Sequence, residues 1–385
     1  MIDKARIEKN LKNFAFPRLS GTEFEYKAFN KLKQEIENLN LKYKVQNFTF
    51  SSFYSRLYPK IAFLSVSIIL FLLYLNISII VSMIIIIPLL GILIASIILT
   101  RKPEKIPFIP KYSSQNLLVK MKPRSSKALN NNRVIMFMSH LDSKGQRFKI
   151  QDRIKIIKLW VYSSIILLIL VILKNLVFIG FELIFYIIGL FPLIFNISSS
   201  ILMLINTTNN ISDGAIDNAS GIVCNLELVN YYNNPENRLH NYSMWFLFTG
   251  AEECGTMGIR HFYNNNEYLD PKKSIIFNLE SIAKHIFLFP GGSEEVHAKN
   301  VNNLLINNNR HLIIKNYITK RIFGTHSDGG FLGDRGFQGY GIGGVKVHKF
   351  MHTFSDTIDK IDTNVLKKLC LVLTDSLKEH DSNFF

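Results

Sequence analysis

Two long apolar blocks interrupt an otherwise mixed pattern. Residues 61–99 are almost continuously apolar. As one straight helix, about 40 residues would extend roughly 60 Å, twice the hydrocarbon thickness of a bilayer. The block therefore predicts two helices turning near Asn76 and Ser78, with Pro88 inside the second, where membrane helices tolerate proline. A second block, 156–195, is divided by Lys174 and Asn175 into two further spans. Glu182 in the last span is expected near the interface or against another helix. The stretch 197–205 is too short to span and carries Ser198 to Ser200, so it reads as interfacial or as the end of the fourth helix.

Outside these blocks the pattern is that of a soluble domain. Residues 2–50 predict two helices and a strand, with Thr22 as a cap of the second helix. Residues 115–121 and 134–138 predict strands. From Asp213 onward helices and strands alternate: helix 219–232, strand Ser243–Thr249, helix 255–265, strand Ser274–Leu279, helix 295–309, strand 339–347 and helix 364–379. Such alternation implies an α/β fold with a sheet covered by helices. Asn-rich patches at 130–132 and 264–266 fall between elements and read as loops.

Composition sharpens the membrane reading. Of 385 residues 48% are hydrophobic, more than a purely soluble domain usually carries. The net charge of +16 would suit nucleic acid or an anionic membrane surface. No nucleic-acid motif is present, and the basic residues crowd beside the apolar blocks. Arg56, Lys60, Arg101, Lys102, Lys105, Arg153, Lys155 and Lys158 flank the hairpins on one side, with Lys174 alone on the other. The positive-inside rule then places the polar segments in the cytoplasm. The opening decapeptide, MIDKARIEKN, is charged, so no secretory signal is expected. Cys224, Cys254 and Cys370 are too few and scattered for a disulfide framework.

Candidate chemistry clusters at element boundaries. Strand 134–138 runs into Ser139-His140-Leu141-Asp142. Strand Ser243–Thr249 runs into Gly250-Ala251-Glu252-Glu253, and Ser274–Leu279 ends at Glu280. The carboxyl ends of strands are where sites assemble in open α/β sheets. Asp217, within Asp213 to Gly221, opens a helix, and His352 follows the last strand. Singly, each has an ordinary reading: a surface turn, a solvated acid pair, a helix cap, a loop histidine. Their joint occurrence in this order is what those readings leave unexplained.

The same stretches resemble the di-zinc metallopeptidases that include bacterial leucyl-type aminopeptidases and glutamate carboxypeptidases, whose fold the glutaminyl cyclases share. The resemblance lies in SHLD (139–142), DGAIDNASG (213–221), GAEECGTMG (250–258), NLE (278–280), SDGGFLGDRGF (327–337) and HTFSDTIDKID (352–362). FPRLSGTEFEYKAF (16–29) resembles the family's opening helix region. The likeness implies a mixed, largely parallel sheet, here interrupted by two transmembrane hairpins. Peptidase segments would be 1–57, 101–155 and 208–385, and hairpins 58–100 and 156–207.

Carried over residue by residue, the resemblance makes Asp217 a carboxylate bridging two zinc ions. His140 and Glu280 complete one site, Glu253 and His352 the other. Glu252 becomes the general base and Asp142 the partner that orients His140. Imidazole and carboxylate donors independently suit zinc. Glu280 departs from the aspartate of many relatives. No tyrosine is assignable to the oxyanion, with His326 the substitute considered. The implied partners are a peptide substrate and a lipid bilayer, without nucleic acid. Three functions follow: an exopeptidase, foremost an aminopeptidase; a glutaminyl cyclase-like acyltransferase; or a non-catalytic membrane scaffold. Arg310, Arg321 and Arg335 are the cations considered for a substrate carboxylate.

Overall fold

A computed structural model describes residues 1–76, 78–106, 110–266, 269–291, 296–307, 311–312, 314–316 and 327–383. The chain forms two compact units. One comprises Met1–Phe50, Tyr112–Gly145 and Asn209–Phe385; the other comprises Ser51–Lys111 and Gln146–Thr208.

In the first unit eight described strands make one sheet. They are β1 (Tyr43–Ser51), β2 (Lys111–Met121), β3 (Val134–His140), β4 (Ser243–Thr249), β5 (Ser274–Leu279), β6 (Phe287–Gly291), β7 (Lys315–Asn316) and β8 (Gln338–Gly343), in the order β1-β2-β4-β3-β5-β8-β6-β7. The central run β4, β3, β5, β8 is parallel throughout. Strands β2 and β6 join it antiparallel, on β4 and β8. The sheet is thus mixed and largely parallel, as expected. All seven residues of β3 are buried, because a parallel strand covered on both faces must be apolar on both.

Strand alternation divides those side chains between two cores. Ile135 and Phe137 join Met244, Phe246, Ile275 and Phe277 on one face. There they pack against α1 (Lys4–Phe14), α2 (Glu23–Asn38), α7 (Ser220–Asn233), α9 (Val296–Asn307) and α11 (Thr363–Ser382). Val134, Met136 and Met138 join Trp245, Leu247 and Ile276 on the other face, against α8 (Met257–Asn264) and α10 (Asp328–Gly333).

The second unit contains α3 (Tyr58–Leu75), α4 (Ile79–Thr100), α5 (Ile150–Ile172) and α6 (Glu182–Ile205). Among the described residues four helices are long and apolar enough to cross a membrane. The first hairpin turns at Asn76, whose φ of 51° ends α3. The second turns at residues 178–181, later than Lys174 and Asn175. Those two lie in a π-helical turn, Leu173–Val177, that prolongs α5. Lys174 need not break the helix, because its buried ammonium donates to the Tyr74 carbonyl at 2.6 Å and lies 4.2 Å from the Tyr186 ring centre. Glu182 begins α6 and accepts the Gly180 N–H. The stretch 197–205 completes α6. Inside the bundle Trp160 donates to Ser67 and Ser67 to Asn196, which donates to Ser164, linking α5, α3 and α6.

Several boundaries differ from expectation for local reasons. Helix α8 starts at Met257 because Gly255 (φ 103°) and Thr256 (φ 57°) are left-handed. Thr22 precedes α2 but donates its hydroxyl to Leu19 instead of capping. Strand β8 ends at Gly343, where the next residue, Gly344, donates to the Ser281 carbonyl. Of the expected helix 295–309, residues 295, 308 and 309 lie outside the described residues. Strands β6 and β7 and helix α10 are additions; each is short, and α10 contains three glycines.

Phe137 stacks between Phe246 and Phe277, at 5.8 and 5.1 Å between ring centres. Phe137→Ala should destabilise the first unit by about 3–5 kcal/mol, as aromatic-to-alanine changes in cores do. Denaturant unfolding of the purified protein measures this. A loss below about 1 kcal/mol would mean that the sheet centre repacks freely.

Candidate metal centre

The parallel strands deliver their following residues to one edge of the sheet. Register pairs His140 at the end of β3 with Thr249 at the end of β4. Glu252 and Glu253 follow β4 across a turn, and Glu280 follows β5 directly. That turn needs a residue without a side chain at Gly250, where a Cβ would fall 2.1 Å from Ser114 Oγ and 2.7 Å from the Gln115 carbonyl. Asp217 comes from the segment before α7, and His352 from the loop after β8.

Asp217 lies at the meeting point. Its Oδ1 is 3.1 Å from His140 Nε2, and its Oδ2 is 3.4 Å from His352 Nε2. His352 Nε2 is also 2.8 Å from Glu253 Oε1. Two triads result, His140–Asp217–Glu280 and Asp217–Glu253–His352, in each of which one donor atom per residue lies within 4.8 Å of the others. All five residues named from the sequence come together, with Asp217 common to both triads.

Burial sets the electrostatics. The Glu252 carboxyl is pushed well above the usual range by burial, then by Glu280, Glu253 and Asp328, against the pull of His140. Burial also works to raise its neighbour Glu253, but His352 and Lys144 outweigh it and hold that carboxyl well below the usual range. Glu280 is raised to about 7 by burial, with Asp217 and Asp328 adding to the shift and His140 opposing it. Neighbouring acids pushed in opposite directions are what separates a proton-transfer group from a permanent anion.

The donor set fits zinc. Two imidazole nitrogens and three carboxylates converge in a buried space, the mixture zinc sites use. His140 Nδ1 lies 3.0 Å from the Asp142 carbonyl oxygen, which fixes the proton on Nδ1 and leaves Nε2 as donor. Asp142 meets His140 through two groups. Its main-chain oxygen meets His140 more closely than its carboxylate, which is at 3.4 Å. The carboxylate also accepts the Glu252 and Glu253 N–H groups, both at 3.0 Å, and the Ser20 hydroxyl.

Several supporting residues escaped the sequence reading. Arg18, fully buried, donates to the carbonyls of Leu141, Asp213 and Gly214, tying the loop after His140 to the loop before Asp217. Asp356 accepts the N–H groups of Ile216 and Asp217 at 2.6 and 3.2 Å. Asp328 accepts the Thr249 hydroxyl. Lys144 Nζ is 3.2 Å from Glu253 Oε2. Glu25 accepts from Gly21, Ala251 and Ser114. All but Lys144 lie within the quoted motifs; only their partners were unreadable. Arg310, Arg321 and His326 lie outside the described residues, and Arg335 is engaged against the Phe331 ring at 3.5 Å.

A mixed α/β sheet with imidazoles and carboxylates gathered at its strand ends is the architecture of a metal-dependent hydrolase. The chain carries a domain that matches the model of Peptidase family M28 over residues 200–375, and it is a metallopeptidase. Asp217, Glu252, Glu253, Glu280 and His352 fall inside the matched segment. Among solved structures it is similar to an aminopeptidase from Aneurinibacillus sp. strain AM-1 (TM-score 0.58, 13% identity, 98% of this chain and 94% of that one). It is also similar to a zinc aminopeptidase from Bacillus subtilis (TM-score 0.55, 12% identity, 98% and 95%). A glutaminyl cyclase from Fimbriiglobus ruber shares the fold (TM-score 0.51, 14% identity, 98% and 95%). Comparison with curated proteins finds no match.

Glu25 supplies a pH test. Burial, then the charge of Asp142, raise its carboxyl to about 8. A raised acid keeps its proton in the folded state after the unfolded chain has lost it, so stability falls as pH climbs from about 4.5 to about 8. Glu25→Gln cannot ionise. Its melting temperature relative to the parent should therefore rise steadily over that window, and parallel melting curves across pH would refute the assignment.

Proposed function

We propose that this protein is a membrane-embedded zinc exopeptidase, foremost an aminopeptidase. In this reading His140, Asp217 and Glu280 hold one zinc ion, and Asp217, Glu253 and His352 hold a second. The observation that carries it is the sharing of Asp217, whose two oxygens each face a different histidine. Bound zinc supplies a Lewis acid for the scissile carbonyl and lowers the pKa of the attacking water. Glu252 accepts the water's proton and returns it to the leaving amine. Its raised proton affinity suits the second transfer, and the amides held by Asp142 keep its turn in place. The two aminopeptidases of similar fold support the direction of cleavage. The cyclase reading has likeness of fold behind it, and the scaffold reading is opposed by a complete donor set.

The membrane part of the proposal rests on the four apolar helices and their outward faces. Ile84, Ile187 and Phe191 are among the large apolar side chains left exposed. A bilayer would cover them at a gain of about 25 cal/mol per Å². The charged flanks support a cytoplasmic peptidase unit. Two spans lie between His140 and Asp217, an even number, so both ligands emerge on the same side.

Glu252→Gln should retain zinc and fold but lose about 10²–10⁴-fold in kcat, because proton transfer belongs to the transition state. Glu253→Gln should instead lower zinc content. Peptide hydrolysis with parallel metal analysis separates the two, and a Glu252→Gln protein turning over free-amine peptides at the parent rate would sink the mechanism. Orientation has its own test. The native cysteines are buried, so single cysteines placed at Lys9 and Gly180 report cleanly. An impermeant thiol reagent on intact cells should label position 180 and leave position 9 unlabelled; the reverse pattern would invert the topology.

A further inference from the structure

The two triads are equivalent in donor type but not in electrostatic surroundings. Glu280 in the first is met by the Asn278 amide at 2.7 Å. Among the described residues the largest charge effects on it come from His140, Asp217 and Asp328, none of them a lysine or arginine. Glu253 in the second already has a fixed-charge partner. Lys144 Nζ lies 3.2 Å from its Oε2 and 3.5 Å from its carbonyl oxygen. The first triad therefore offers an incoming dication a field made by carboxylates. The second offers a carboxylate whose charge an ammonium partly neutralises.

The placement of Lys144 is built into the fold. Its neighbour Ser143 exchanges hydrogen bonds with Arg18, donating its N–H to the Arg18 carbonyl and accepting the Arg18 N–H, both at 2.9 Å. Ser143 also donates to the Ser212 carbonyl. The backbone beside Lys144 is thus pinned by buried contacts while its side chain remains 16% exposed, leaving the ammonium a path outward.

Resting on the two-ion reading above, we infer that Lys144 competes with the second zinc ion for Glu253, making the Asp217–Glu253–His352 position the weaker and exchangeable one. A cation at ion-pair distance from a ligand must be displaced, or tolerated as a like charge, when a dication binds there. Either costs affinity, and most at the position that Glu253 serves. Free zinc in the surroundings would then set occupancy of the second position, and with it activity, while the first stays filled.

The test uses the full-length protein in detergent, with zinc titrated against a chromophoric chelator. The parent should bind two ions in two separated steps. Lys144→Met should tighten the weaker step by about tenfold, the scale of one like charge acting on a dication through solvent-screened surroundings. The stronger step should not move, which also shows that the variant is folded. Lys144→Gln should match it, and Lys144→Arg should keep the weak step. Glu253→Gln should abolish the weaker step and Glu280→Gln the stronger, which assigns them. An unchanged weak step in both Lys144→Met and Lys144→Gln overturns the inference, as does tightening of the stronger step instead. Binding of fewer than two ions by parent and variants alike overturns the two-ion reading itself, and this inference with it.

Discussion

Asp217 has to face two histidines at once, and much of the surrounding structure serves that one placement. A carboxylate reaching in two directions needs its backbone held independently of its side chain. Asp356 does this by accepting the N–H groups of Ile216 and Asp217, and burial with the charge of Asp217 raises the Asp356 carboxyl to about 7. Asn218 extends the support, donating to the Leu279 carbonyl and accepting the Gly221 and Ser281 N–H groups. Movement of the Asp217 segment would disturb both triads together.

Gathering acids out of water is the cost of such a centre. Asp217, Glu252, Glu253 and Asp328 are each less than a tenth exposed, and the two imidazoles are the nearest compensation. An isolated buried carboxylate takes up a proton unless something pays for its charge. Here neighbours divide accordingly: His352 and Lys144 hold Glu253 as an anion, while Glu252, with three acids around it, is driven towards its protonated form. In the proposed assignment a dication at each triad completes this balance, and the spread in proton affinity sorts ligand from base.

The chain leaves the peptidase unit after Gly145 and returns at Asn209, between two residues of the same triad. Contacts inside the unit keep those ends together. Arg18 donates to Leu141 on one side and to Asp213 and Gly214 on the other, and Ser143 donates to Ser212. An insertion of helices between His140 and Asp217 is therefore compatible with a shared site, because the N-terminal segment closes the loop at its base.

The sequence by itself marked most of the elements and the candidate residues of the site. Continuous apolar runs marked the membrane-type helices and the central strands, since covering on all sides demands it. His140, Asp217, Glu252, Glu253, Glu280 and His352 were legible because each stands at an element boundary within a recognisable motif. What only tertiary structure decided were partners distant along the chain. Glu25 and Ala251 are 226 positions apart, and Asp356 and Ile216 are 140 apart. Local pattern carries no signal for such pairs. Lys174 shows the same limit within a helix: a lysine in an apolar run reads as a break until Tyr74 and Tyr186 are found around it. Periodicity reports which face of an element is buried. Which buried charge meets which depends on how the elements pack.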